Sequence, residues 1–291
     1  QLRGHAARPR AAFAIAPEAG LDEGFTLSSD LAVAARRGIG EWGVTLSAER
    51  GRAWLAGHRR AEETVFGLAE HRSTTSLALA ADRAFGDLEA RLGATWLAEE
   101  ETVLGAHFHR AAGIAGADSL FLDGSFAARI APGWTLGGAA RAGFTRPRGR
   151  EIRGGELLGG EILGAGSHLL TQGWSLDLTR AGALLPSDRL GLRLAQPLRV
   201  EGGALRLDLP VAWDYASESA IIARRSVSLA PRGREVMGEA AWSAPFAFGR
   251  GPWGARAWGQ VSTSLYYRRQ PGHRADAPAD IGAVVSVSAG F

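Results

Sequence analysis

Apolar and polar side chains alternate along most of this chain, most cleanly in its last eleven residues. Ile281, Ala283, Val285, Val287, Ala289 and Phe291 fall on one face, and Gly282, Ser286, Ser288 and Gly290 on the other, interrupted only by Val284. A period of two places successive side chains on opposite sides of a strand. The same period predicts strands at about 62–71, 75–85, 87–98, 118–131, 134–145, 168–180, 187–197, 204–215, 220–230, 234–245, 255–268 and 280–291. In 118–131, Leu120, Leu122, Phe126 and Ile130 oppose Asp123, Ser125 and Arg129; in 204–215, Leu205, Leu207, Leu209, Val211, Trp213 and Tyr215 oppose Arg206, Asp208 and Asp214. A further hairpin is expected from Phe25, Leu27, Leu31 and Val33 across Gly38 and Gly40 to Trp42, Val44 and Leu46. Residues 1–23, around Phe13 and Ile15, read as a linker, and 52–61, around Trp54 and Leu55, fit a loop, a short strand or a helical turn.

Soluble sandwiches alternate too, so the connections have to separate the architectures. With the carboxyl terminus on the periplasmic side, the turns at 85–87, 131–133, 181–187, 216–219 and 246–254 fall there as well. The connections at 72–74, 99–117, 146–167, 198–203, 231–233 and 269–279 fall outside, and both of the longest, 99–117 and 146–167, are among them. Short turns on one side and long loops on the other mark outer-membrane barrels. The expected fold is therefore all-β, a transmembrane antiparallel β-barrel of about 12 strands, or 14 if the early hairpin joins it.

Composition narrows the partners. No run approaches the roughly 20 apolar residues of a membrane helix. Cysteine is absent, so neither a disulfide framework nor a thiolate metal site exists. A net charge of +3 could suggest nucleic acid, but the arginines are spread among acids with no basic tract, and nucleic-acid binding is not expected. Lysine and asparagine are both missing. A start at Gln1 reads as a chain cut from a longer product, or less readily as one that has lost an export signal.

Candidate chemistry is thin. His107 and His109 near Glu99, Glu100 and Glu101 have the spacing of a metal site but read as a charged surface loop. His168 and many serines supply the parts of a hydrolase without a Gly-x-Ser-x-Gly elbow, and the lack of asparagine removes a Ser-His-Asn arrangement. Gly154-Gly155 and Gly159-Gly160 lack the lysine and strand-to-helix setting of a phosphate loop. Asp87, Glu89, Arg91, Asp123, Arg129, Arg141, Asp177, Arg193, Arg206, Asp208, Glu235 and Glu239 are placed on inward faces, where mixed signs predict cross-strand ion pairs in a hydrated lumen. No catalytic, cofactor-binding or metal-ligating residue is assigned.

Four stretches carry a resemblance: Arg189-Leu-Gly-Leu-Arg-Leu-Ala-Gln-Pro-Leu-Arg199, Ser228-Leu-Ala-Pro-Arg-Gly-Arg-Glu-Val236, Tyr266-Tyr-Arg-Arg-Gln-Pro-Gly-His273 and Ala279-Asp-Ile-Gly-Ala283. They look like the carboxyl-terminal translocator barrels of bacterial autotransporters, in particular those trailing subtilisin-like serine peptidase passengers. The terminal Phe291 likewise resembles the sorting signal of outer-membrane barrel proteins, with Ile281, Ala283, Val285, Val287 and Ala289 leading up to it. The resemblance covers residues 62–291 and implies a barrel there, with 1–61 a linker or passenger remnant that can hold an extra hairpin; the family's linker is usually helical, whereas residues 1–61 read largely as strand and loop. It implies a location in the bacterial outer membrane, contact with outer-membrane lipid and the barrel assembly machinery, the chain's own passenger segment in the pore, and type V secretion without enzyme activity in this chain. A stand-alone porin-like channel and an outer-membrane hydrolase are the alternatives.

Overall fold

The computed structural model describes Phe13 and residues 27–54, 71–108, 113–149, 163–250 and 256–290. Most of the expected strand at 62–71, the linker apart from Phe13, His109, the glycine pairs at 154–160 and Phe291 lie outside them. The described chain is almost wholly strand: β1 (Leu27–Ile39), β2 (Trp42–Trp54), β3 (His71–Phe85), β4 (Leu88–Glu100), β5 (Thr102–Val103), β6 (Ala106–His107), β7 (Ile114–Ala131), β8 (Trp134–Gly149), β9 (His168–Ala181), β10 (Arg189–Asp214), β11 (Ser219–Val227), β12 (Val236–Arg250), β13 (Arg256–Arg269) and β14 (Asp280–Gly290). β5 and β6 pair with each other. The other twelve form one antiparallel sheet in the order β1-β2-β3-β4-β7-β8-β9-β10-β12-β13-β14, with β11 beside β10 off that path.

The all-β fold and the number of strands agree with the alternation, but the strands themselves differ. The early hairpin belongs to the sheet, paired from Leu27↔Ala53 to Ile39↔Trp42 and onward from β2 to β3. The strands expected at 187–197 and 204–215 are one strand, so 198–203 is no connection. Its surplus residues are absorbed by register shifts against β9 between Gln196 and Arg199 and between Val200 and Gly202, bulges that bend a strand without reversing it. In consequence the turn at 216–219 lies at the opposite end of the sheet from where it was expected. A further shift between Pro210 and Ala212 breaks the expected face of 204–215. Arg206 and Asp208 stand on a ribbon: beyond Ala204, the last residue paired with β9, the ladder partner of β10 is β11, with a single bridge from Leu207 to Leu163 and the Gly164 amide donating to the Arg206 carbonyl at 2.8 Å.

The loop asymmetry survives this correction. One end of the sheet, the near end, carries the two-residue turns 40–41, 86–87 and 132–133 with the segments 182–188 and 251–255. The far end carries 101–113, 150–167, 228–235 and 270–279. Segment 182–188 is held compactly, because the buried Asp188 accepts the Ala183 amide at 2.6 Å, the Leu184 amide at 2.9 Å and the Trp242 indole N–H at 2.8 Å. Successive near-end turns are staggered in one direction. β3 runs past Asp82, the partner of Gly43, to Phe85; β7 runs past Ala128, the partner of Leu88, to Ala131; β12 runs past Ser243, the partner of Arg189, to Arg250. A consistent stagger is what lets a sheet curl toward a barrel.

Candidate functional site

Register places the outward side chains in rows. Ala48, Leu77, Trp96, Leu120, Phe144 and Leu170 are successive partners across β2, β3, β4, β7, β8 and β9. Leu178, Leu192, Ala240, Leu265 and Ala283 continue the same face across β9, β10, β12, β13 and β14. These faces are open: Leu122 is 59% exposed, and Ile281, Val285 and Val287 are exposed on β14. Ala283 shares that face, the Ala289 side chain is not described, and Phe291 lies outside the described residues.

The opposite face is polar and enclosed. Thr45, Thr95, Ser119, Arg141, Thr145, Thr171, Ser175, Asp177, Arg193, Glu239, Ser243 and Ser264 are all buried on it. A soluble protein distributes its residues the other way round. The expected ion pairs are present. Arg141 donates to both Asp123 oxygens, at 2.6 and 3.0 Å, and Arg193 to both Asp177 oxygens at 2.7 Å each. Glu239 stands opposite Arg193 across β10 and β12 and accepts the Ser264 hydroxyl. Asp87 and Arg129 pair at 3.1 Å in an exposed near-end turn, and Asp208 pairs with Arg224 on the ribbon. Arg206 and Asp208 are therefore not part of the enclosed wall. Glycines admit large rings into it: a Cβ on Gly143 would come within 2.6 Å of Phe121, and one on Gly282 within 2.5 Å of Tyr266.

Sequence reasoning missed the role of Phe13. Its ring, buried, packs against the Arg193 guanidinium with 4.0 Å between Cζ and the ring centroid. Phe13, ahead of β1 in the chain, thus lies against the polar wall. The hydroxyls of Thr171 and Ser175, buried on the same wall, have no hydrogen-bond partner among the described residues.

Toward the far end the interior turns apolar. Val103, Ile114, Ala117, Leu163, Leu169 and Leu205 form a cluster, with Leu104, Phe108, Val200, Leu207 and Leu229 packed against it. Glu99 fixes the β5–β6 hairpin that supplies Val103. It accepts the Thr102 hydroxyl at 2.9 Å and the Leu104 and Gly105 amides at 2.8 Å each. His107 faces the Glu101 carbonyl at 3.3 Å, so Glu99 and His107 are turned to loop geometry, and no group of three metal ligands gathers among the described residues. His168 faces the Gly166 carbonyl at 3.0 Å and stacks on Phe144.

The four stretches that carry the resemblance meet at the far end. Arg199 donates to the Gly233 carbonyl at 3.0 Å and the Pro231 carbonyl at 2.6 Å. Arg234 reaches Gln196 at 2.6 Å and Glu201 at 2.7 Å. Glu235 accepts Arg268 at 2.7 Å and the Gly272 amide at 2.6 Å, and Arg268 also lies 3.5 Å from Asp280. Four segments distant in sequence are thereby bolted together. Comparison with protein-family models, curated proteins and solved structures returns no match to this chain.

Proposed function

We propose that this chain is a membrane-spanning β-barrel of the bacterial outer membrane that carries or anchors a passenger, as the translocator domain of an autotransporter does. The observation that supports it best is the inversion of polarity: apolar rows face outward across the sheet while ion-paired and hydroxyl side chains are enclosed. Lipid rewards that arrangement, and only helices or closed barrels satisfy the backbone within it. Phe13 on the interior wall supports a segment lying in the pore. The apolar cluster at the far end argues against an open diffusion channel, and the carbonyl partners of His107 and His168 argue against a hydrolase.

Two experiments test the reading. With an epitope ahead of Gln1 and an export signal supplied, the epitope should become accessible to protease added to intact Gram-negative cells; an epitope reached only after the envelope is opened overturns the translocator assignment. Membrane insertion is tested separately by Leu122→Arg near the middle of β7. In lipid the substitution should cost about 2–4 kcal/mol, whereas on a water-facing surface it would change stability by no more than about 0.5 kcal/mol. Unfolding midpoints in bilayer vesicles distinguish the two.

A further inference from the structure

We propose that His273 is a proton-operated latch at the base of the β10–β11 ribbon: neutral, it holds the segment 228–235 and the β13–β14 connection onto β10, and protonation releases them. The ring is 9% exposed and both nitrogens are engaged. The Glu235 amide donates to Nδ1 at 3.0 Å, which requires Nδ1 to be without a proton. Nε2 must then carry the hydrogen and donate it to the Leu198 carbonyl, 3.0 Å away. A second proton would set an N–H against the Glu235 N–H, so the charged ring cannot keep this geometry.

The surroundings bear on the same proton. From β10, Arg199 opposes a positive imidazole and Glu201 favours it; from the 228–235 segment, Glu235 favours it, with Arg234 beside Glu201; from β13, Arg268 occupies Glu235, with Asp280 of β14 beyond. Burial comes first among these influences and holds the imidazole below its ordinary value, against the pull of the Leu198 carbonyl and of Glu235. The latch is thus fully closed above the ordinary imidazole value and is lost as pH falls through the lowered one. The backbone is set to spring: His273 has φ 58° and Gln270 φ 51°, left-handed conformations that a non-glycine residue holds only under constraint. Gln270 is itself constrained, accepting the Arg234 amide at 2.8 Å. The far-end base of the ribbon, and with it the attitude of Trp213 and Tyr215 near its tip, is therefore under acid control.

Hydrogen exchange on the folded full chain tests the latch. Between pH about 7.5 and about 4, a range wide enough to include an imidazole lowered by burial, exchange corrected for intrinsic rate should rise about tenfold in 228–235 and 270–279 but not in the near-end turn at 86–87. His273→Gln, which cannot titrate, should abolish that pH dependence. Unchanged protection in the wild type, or the same change in His273→Gln, overturns the proposal. If His273→Gln does not fold, ring-nitrogen NMR of the wild type decides. One histidine protonated on Nε2 and still neutral below the ordinary titration range supports the latch; ordinary titration of every histidine overturns it.

Discussion

Arg193→Met should cost the fold about 3–5 kcal/mol, the scale for removing one member of a buried ion pair. Arg193 is 6% exposed, its guanidinium bidentate to Asp177 on β9 and the residue in register with Glu239 on β12. Methionine preserves the aliphatic stem but removes the guanidinium that stacks on Phe13, and it leaves the Asp177 and Glu239 carboxylates enclosed on either side of it. Asp177→Asn should cost less, because Arg193 still has Glu239 opposite it. The double replacement should fall short of the sum by the coupling between the partners. Urea midpoints of the refolded chain give all four corners of the cycle. If the single costs are equal and simply add, the enclosed pair is not the wall's organising contact.

A second contrast uses adjacent glycines. Gly203→Val should cost about 2–5 kcal/mol, from a backbone conformation hostile to a branched side chain and from overpacking; Gly202→Val should stay within about 0.5 kcal/mol. At Gly203, φ is +92° and a Cβ would meet the His168 carbonyl oxygen at 2.1 Å, a backbone atom fixed by the β9–β10 ladder. At Gly202 nothing lies within 4 Å. Equal unfolding midpoints for the two variants would mean that the bulge is not a fixed part of β10.

The faces of the strands were legible because each strand meets only two environments, so Leu120 and Leu122 against Asp123 and Ser125 declare their sides directly. Alternation alone did not say which face is enclosed, since it reads the same in a sandwich and its inversion; the loop lengths supplied that, and Arg141, Asp177, Arg193 and Glu239 are buried on the face they selected. The fusion of two expected strands into β10 was hidden for a related reason. Pro197 and the Gly202-Gly203 pair carry the marks of a connection, and only β9 continuing alongside makes them bulges. The far-end junction was half legible: its residues stood out as motifs, but His273 and Arg199 act on main-chain atoms, which leave no trace in composition. Phe13 gave no signal, because a lone aromatic in an irregular stretch finds its partner only through the fold.

The far-mouth cluster sets a clock on assembly. Its members come from both halves of the chain, Val103 and Ile114 from one and Leu163, Leu169 and Leu205 from the other. Contacts so remote in sequence form late, since the loops between them must be ordered first. The cluster cannot form until β10 has been laid beside β9, bringing Leu205 to Leu169. If the chain is a translocator, as proposed, the passage stays wide at the end where a passenger would leave for as long as either half is unplaced. On the translocator reading, export has a deadline written into the order in which the strands arrive.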